Sequence, residues 1–421
     1  MKKYSDLLIT HRTKGLTLID QAVVSGGNFL SSILYARLLG LKSYGAFALC
    51  WMIVLVFSGL QQAFIFSPMT TIYAYKSIEE KKYLYLNALF ILQVLFSLVG
   101  AAFLCSTLYI DTIFIQTLYI KDLTLLIPSA VFAFTMHDFF RKKFILIQKA
   151  HVTFLLDLIS MGLLLGLLFS LDVTSIKDIF QIITFSYILS AVLGYFLSNF
   201  QMELCLFHFT IRQHWLQGKW LMATSIVQLF SGNYFIIAAA ALLGTAETGI
   251  IRIAQNIIGL LNILFIAMES YIPLSASKIF HTHGFHALIQ YLKSVTIKGF
   301  IITFVLCIGI AALSPQLIQF LYGPSYLEYA KVVQIYSLFY ILVFISIPLR
   351  FAIKTVEQNH HILIGYLIST AFSFVSANFL ITYYGIYGVL VGIITTQLLT
   401  QLWYIYSLKN YSYAHHSLSI R

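Results

Sequence analysis

Long apolar runs separated by short polar connections make up almost the whole chain. A membrane-spanning helix takes about 20 mostly apolar residues, and twelve such runs follow one another. The first half holds Thr17–Leu39, Tyr44–Phe66, Tyr83–Leu104, Leu123–Phe140, Thr153–Leu171 and Ile179–Phe200. The second holds Leu221–Leu242, Gly249–Tyr271, Phe300–Phe320, Val332–Leu349, Ile362–Tyr383 and Tyr387–Tyr406. Pro128 interrupts the fourth run. This pattern predicts an all-α integral membrane protein with about twelve transmembrane helices. The expected organisation is a six-helix bundle over 1–206, a cytoplasmic linker over 207–219 and a second six-helix bundle over 220–421.

The two halves resemble each other. SGGNFLSSILYARLLGLKSYG at Ser25–Gly45 is answered by SGNYFIIAAAALLGTAETG at Ser231–Gly249. Asn28 pairs with Asn233, Leu39-Gly40 with Leu243-Gly244, and Gly45 with Gly249, at offsets of 204 or 205 residues. Pro68 and Pro273 continue the series at 205. Arg141 and Gln148 are echoed more loosely by Arg350 and Gln358, at 209 and 210. Internal duplication in a hydrophobic chain is a mark of many transporter folds.

Composition supports the membrane class, since 60% of the 421 residues are hydrophobic and only 10% are charged. Soluble domains carry about 25% charged residues. The net charge of +11 is a topology signal, because Lys and Arg accumulate in cytoplasmic segments. With the N-terminus inside, all but six of the 26 basic residues fall in inside segments. The exceptions are Arg37, Lys42, Lys121, Lys177, Arg252 and Lys331. Both termini are therefore expected in the cytoplasm, and no nucleic-acid partner is implied. Cys50, Cys105, Cys205 and Cys307 sit in or beside apolar runs without a CxxC pair, and read as packing residues. Lys2 and Lys3 precede an apolar run too long for a signal peptide, so that run is expected to be retained.

Polar residues inside the runs are the candidate chemistry. Asp20, Asn28, Ser31 and Tyr35 share one face of the first helix. Arg252, Gln255, Asn256, Gly259, Asn262, Glu269 and Ser270 form a stripe along the eighth, and Asp157 lies in the fifth. A charge at the bilayer centre costs at least ~2.5–3.5 kcal/mol, so such groups normally face protein or water. Hydrogen bonding between neighbouring helices is the competing account for Ser and Asn. The candidate substrate-binding residues are Arg252, Asn28, Gln255, Asn256, Asn262 and Arg37; the candidate ion-coupling residues are Asp157, Glu269 and Asp20. Arg37, near an outer end, reads first as a headgroup anchor. The connection Ser275–Gly299 carries HTHGFH, which offers metal ligands. An amphipathic helix on the inner interface is the reading preferred for it. No GxxxxGK[ST], HExxH or GxSxG occurs, so the common nucleotide-hydrolysis, metalloprotease and hydrolase signatures are missing. No cofactor is expected.

The stretches IDQAVVSGGNFLSSILYARLLGLKSYGAFAL, LLGTAETGIIRIAQNIIGLLNIL and FLYGPSYLEYAKVVQIYSLFYIL resemble the Wzx-type polysaccharide flippases. That family belongs to a superfamily that includes the MATE drug exporters. The resemblance implies two six-helix bundles facing each other in a V around a central cavity. It further implies transport of an undecaprenyl-pyrophosphate-linked oligosaccharide to the outer leaflet of the bacterial cytoplasmic membrane, by alternating access. Its implied partners are that lipid-linked oligosaccharide, membrane lipids, and the polysaccharide polymerase and chain-length proteins. The nearest rival is a cation-coupled drug exporter, for which Asp20, Asp157 and Glu269 would supply the acidic groups. A membrane glycosyltransferase or polymerase needs a sizeable loop or catalytic domain that is not in the sequence, so an enzyme is not expected.

Overall fold

In a computed structural model of this protein, residues 2–73, 81–110, 121–198, 200 and 205–418 are described, and helix dominates them. Helix α1 (Lys2–Gln61) passes through a π-helical turn (Gln62–Phe66) into α2 (Ser67–Tyr73). Then come α3 (Lys82–Ile110), α4 (Leu126–Leu146), α5 (Ala150–Ser170) and α6 (Ile176–Phe196). The second half holds α7 (Phe207–Leu242), α8 (Thr245–Gly259), α9 (Asn262–Ala312), α10 (Ser314–Leu321), α11 (Ala330–Thr355) and α12 (His360–Leu418).

Eight helical stretches among the described residues are long and apolar enough to cross a membrane. Two of them, Ile19–Tyr73 and His360–Ser412, each contain two of the predicted runs. Each is divided by one glycine outside the helical region: Gly40 at φ 70, ψ 170, and Gly385 at φ 56, ψ −136. The remaining two predicted runs are α4, and α8 with the start of α9. Charge excludes α4 from the eight, because Asp138, Arg141, Lys142 and Lys143 crowd its end. The chain is thus a multi-pass, all-helical membrane protein.

Several boundaries differ from the sequence-based expectation. Pro128 lies in the first turn of α4, where a missing N–H costs nothing, so it starts that helix and does not interrupt it. The expected linker 207–219 is helical, as the first part of α7. The eighth run is discontinuous: α8 ends at Gly259 and α9 starts at Asn262. Glycine and asparagine are both weak helix formers, and Leu261 there bonds back only three residues, to Ile258. The Ser275–Gly299 connection is not one helix but two limbs of α9 that meet at Gly284, φ 78. Pro315, in the first turn of α10, detaches the end of the ninth run.

The chain divides into two compact units. The first comprises Met1–Leu39 and Leu49–Ile226, and the second comprises Gly40–Ala48 and Val227–Arg421. The first has a core of Phe66, Tyr85, Phe139, Phe140, Phe144 and Leu156, with Phe90 stacked on Phe200 at 4.4 Å. The second is centred on Phe344, Ile353, Leu288, Tyr404 and Ala276. Lipid is as apolar as leucine, so helices in a bilayer associate through close packing and hydrogen bonds. Outward-facing Val99, Phe103, Phe169, Val375 and Phe379 are the complementary lipid-compatible surface.

The repeated sequence has a repeated backbone. Gly40 and Gly244 both take positive φ (70 and 115), a conformation that costs other L-residues steric strain. Each breaks the chain between consecutive helical segments. Gly45 and Gly249, the next matched pair, meet inside the second unit. A Cβ on Gly45 would lie 1.6 Å from the Thr245 carbonyl oxygen, and one on Gly249 would lie 2.8 Å from that of Leu41. Backbone approaches backbone, which only glycine permits. Gly45→Ala is therefore expected to lower stability by about 1–3 kcal/mol. Gly26→Ala, with open space around its Cβ position, should gain up to ~1 kcal/mol from helix propensity. Thermal midpoints of the two purified variants against wild type check this; equal midpoints for all three would contradict it.

Candidate functional site

The first unit gathers its charges at one place. Helix α4 presents His137, Asp138, Arg141 and Lys142, positions i, i+1, i+4 and i+5, toward Asp20 of α1 and Asp157 of α5. Asp20 and Asp157 are 3% and 1% exposed. The Arg141 guanidinium lies between the acids: its Nε is 2.6 Å from Asp157, its Nη1 is 3.4 Å from Asp138, and its Nη2 is 3.7 Å from Asp20. Lys142 Nζ is 3.0 Å from Asp138 Oδ2 and donates to Gln62 Oε1 at 2.6 Å. Gln62 opens the π-helical turn. One Asp20 oxygen, Oδ1, has no hydrogen-bond partner among the described residues.

The hydrogen bonds around His137 place a proton. The Ser190 hydroxyl donates to the Leu156 carbonyl at 2.9 Å, so it can only accept from His137 Nδ1, 3.0 Å away. With Nδ1 protonated, a neutral ring would turn a bare Nε2 lone pair toward Asp157 at 3.2 Å. That contact is attractive only if a proton sits on the nitrogen or on the carboxyl. The charges agree. Three carboxylates face two cations, Arg141 and Lys142, and one shared proton brings the group to neutrality. A neutral cluster is the inexpensive one to bury in a membrane. Among the described residues, no three His, Cys, Asp or Glu side chains are arranged to hold a metal ion, and the guanidinium takes the centre.

The second unit holds the predicted stripe. Helix α8 buries Ile250, Ile251, Ile253, Ala254, Ile257 and Ile258 and leaves Arg252, Gln255 and Asn256 half-exposed. Arg252 Nη1 donates to Gln255 Oε1 at 3.1 Å, and Gln255 Nε2 donates to the Tyr336 hydroxyl at 3.2 Å. Asn256 Nδ2 donates to the Tyr44 hydroxyl at 2.6 Å. Asn262, just past the helix break, accepts from the Tyr340 hydroxyl, and the Tyr340 ring stacks on Phe265. The result is a guanidinium, three amides and three phenols in one hydrogen-bonded array, beside an interrupted helix. Interrupted helices of this kind line binding sites in transporters.

The predicted residues therefore fall into two groups. Asp20 and Asp157 come together, as do Arg252, Gln255, Asn256 and Asn262. Glu269 joins neither group: it is exposed, in the second unit, within electrostatic range of Lys354. Asn28 and Arg37 are exposed positions on α1. The side chain of Ser270 lies outside the described residues. Sequence reasoning missed His137, Asp138 and Ser190, and it read Arg141 and Lys142 as topology charges only. The HDxxRK spacing on one helical face was the available signal. It also missed Tyr44, Tyr336 and Tyr340, which nothing local distinguishes from other membrane tyrosines.

Solved structures share this fold. An inward-facing multidrug-resistance MATE family transporter of the MOP superfamily matches with a TM-score of 0.73 at 12% identity, over 91% of this chain and 95% of that one. An outward-facing MATE transporter matches at 0.63 with 13% identity, over 96% of both chains. A MOP superfamily transporter from Pyrococcus furiosus, described by the reverse polarity of its binding pocket, matches at 0.64 with 13% identity, over 96% of this chain and 95% of that one. No protein-family model matches the sequence, and no curated protein matches it either. The chain thus has the MATE-type fold of the MOP superfamily, a twelve-helix, two-lobe transporter architecture.

Removing Arg141 tests what holds the acidic cluster. Arg141→Gln strands buried carboxylates and is expected to cost about 3–5 kcal/mol. The double variant Arg141→Gln/Asp157→Asn should recover part of that loss. Thermal midpoints in detergent read both, and an Arg141→Gln protein as stable as wild type would show that the guanidinium does not organise the cluster.

Proposed function

We propose that this protein is a flippase of the Wzx type. It carries an undecaprenyl-pyrophosphate-linked oligosaccharide from the inner to the outer leaflet of the bacterial cytoplasmic membrane, by alternating access, with both termini in the cytoplasm. The observation that carries this reading is the array built on α8: Arg252, Gln255, Asn256 and Asn262 with Tyr44, Tyr336 and Tyr340. Amides and phenols are donors and acceptors suited to sugar hydroxyls, and a guanidinium offers a planar fork for phosphate oxygens. Opening the array exchanges one set of hydrogen bonds for another, which keeps substrate exchange from being costly. Asn28 and Arg37, exposed on α1, enter the proposal as further contacts.

A cation-coupled drug exporter needs acidic groups free to meet a cationic drug. Here Asp20, Asp138 and Asp157 face Arg141 and Lys142 at 2.6–3.7 Å, and this supports the flippase over the exporter. The same cluster supports a proton-coupled cycle in which the proton shared by His137 and Asp157 is gained and lost as Asp20, Asp157 and Arg141 separate and re-form. Glu269 lacks such a setting and takes no part in this step.

Arg252 variants in cells lacking the native gene test the proposal. A headgroup anchor needs only a long cation, whereas forked recognition of phosphate or glycan needs the guanidinium. The expectation is a clear loss of surface polysaccharide per unit protein in Arg252→Lys and a larger one, about tenfold or more, in Arg252→Ala. Membrane abundance should be unchanged. Normal polysaccharide in Arg252→Ala cells would remove the α8 array from substrate handling.

A further inference from the structure

The duplication matches Arg141 with Arg350, and the backbone fixes the register between them. Helices α4 and α11 end in the same cap. Gln148 and Glu357, not Gln358, are the positive-φ partners, at 60 and 59. The Lys149 N–H reaches the Phe144 carbonyl at 2.8 Å, and the Gln358 N–H reaches that of Ile353 at 3.0 Å. In the helices that follow, Ser160 and Ser369 are both fully buried. Each returns its hydroxyl to the carbonyl three residues back, that of Asp157 in one case and Tyr366 in the other.

On this register the acids of the first copy are missing from the second. Asp138 is answered by Ile347 and Asp157 by Tyr366, while Asp20 is answered by Thr224 or Ser225. The second copy keeps its guanidinium and loses all three carboxylates. Lys354, one turn further along α11, adds a second cation on the same face. Among the described residues neither Arg350 nor Lys354 forms an ion pair. Glu269 acts on Lys354 only at longer range, so two cations face one carboxylate.

A second observation lies beside Arg350. The ring of Tyr404 is fully buried, packed onto Gly365 so closely that a Cβ there would fall 2.7 Å from it. Its hydroxyl has no hydrogen-bond partner, and Tyr366 and Arg350 are polar neighbours. A buried hydroxyl left unpaired costs stability unless something fills the gap. Cations that served only to orient the chain in the membrane would not call for such a donor.

We propose that Arg350, Lys354 and the hydroxyl of Tyr404 form a binding site for a phosphate-ester anion in the second unit. The first copy supplies the anions of its arginine from its own chain, and the second takes them from outside. The shared chemistry is a phosphate ester. Its two sources are the diphosphate of a lipid carrier, an identification that rests on the flippase reading, and the phosphodiester headgroup of a membrane lipid.

Binding of farnesyl diphosphate and of short-chain phosphatidylglycerol to the purified full-length protein separates these sources. If the diphosphate is the ligand, Arg350→Gln weakens farnesyl diphosphate about tenfold or more. Arg350→Lys and Tyr404→Phe then weaken it less, and phosphatidylglycerol affinity is unchanged. If the headgroup is the ligand, phosphatidylglycerol loses affinity and farnesyl diphosphate does not. Thermal midpoints matching wild type exclude misfolding, and Lys354→Gln, at an exposed position, provides a second variant that leaves the core alone. Affinities for both probes that are unchanged in Arg350→Gln and in Lys354→Gln would overturn the site, as would wild-type protein that binds neither probe. Lipid-linked oligosaccharide transport is a separate measurement, so the flippase reading can survive that result, and the site can survive the loss of that reading.

Discussion

Three carboxylates and an imidazole inside a membrane-embedded bundle need a cation among them, and Arg141 is that cation. Taking an ion out of water costs several kcal/mol even after relaxation, and good geometry is what offsets it. Here the geometry uses four helices: α4 brings the guanidinium, α1 and α5 bring Asp20 and Asp157, and α6 brings Ser190 to orient His137. This is why α4 tolerates a charged end that excludes it from the plainly apolar helices. A second, uncharged network supports the same helix, where Gln61 Nε2 donates to the Thr135 carbonyl at 2.7 Å and to Gln93 Oε1 at 3.0 Å. Together they hold α4 in one register against its neighbours. A change in the cluster's proton count must therefore act on the packing of the whole first unit.

Duplication and divergence explain how one fold carries two kinds of chemistry. The halves keep what the backbone requires: glycine at 40 and 244 for the break, glycine at 45 and 249 for close approach, and matching caps after α4 and α11. They part where charge is concerned. The first copy is self-neutralised and buried. The second presents Arg252 half-exposed beside amides and tyrosines, and Arg350 without an acid. An internal charge cluster suits coupling, and available cations suit an anionic, sugar-bearing cargo. A lipid-linked oligosaccharide demands both.

Much of this was legible in the chain. Apolar run length found every helical span, because backbone hydrogen bonding in lipid leaves a helix little alternative. The Leu-Gly pairs marked two of the breaks. Asp20 and Asp157 stood out as isolated acids in apolar surroundings. Arg141 did not, since a basic residue near a helix end is also what topology demands, and spacing along one helix does not reveal which neighbours it meets. His137 and Asp138 were obscured by Pro128, which suggested a broken span where it in fact opens a helix. The face shared by Arg252, Gln255 and Asn256 followed from helical periodicity. The same periodicity failed for Glu269, because the break at Gly259–Asn262 resets the phase of the helix. The loose echo of Gln148 was set one residue off, since identity favoured Gln358 while the cap conformation belongs to Glu357.

The central claim is that the cargo is a lipid-linked oligosaccharide, and reconstitution tests it most directly. Proteoliposomes would hold the full-length protein with a polyprenyl-diphosphate oligosaccharide whose glycan is labelled on the inner leaflet. Access of an impermeant external reagent to the label reports translocation, and a cationic dye loaded into parallel vesicles reports drug export. The account predicts that the glycan becomes accessible only in vesicles containing the protein, while the dye stays inside. Dye efflux with the glycan still protected would contradict it.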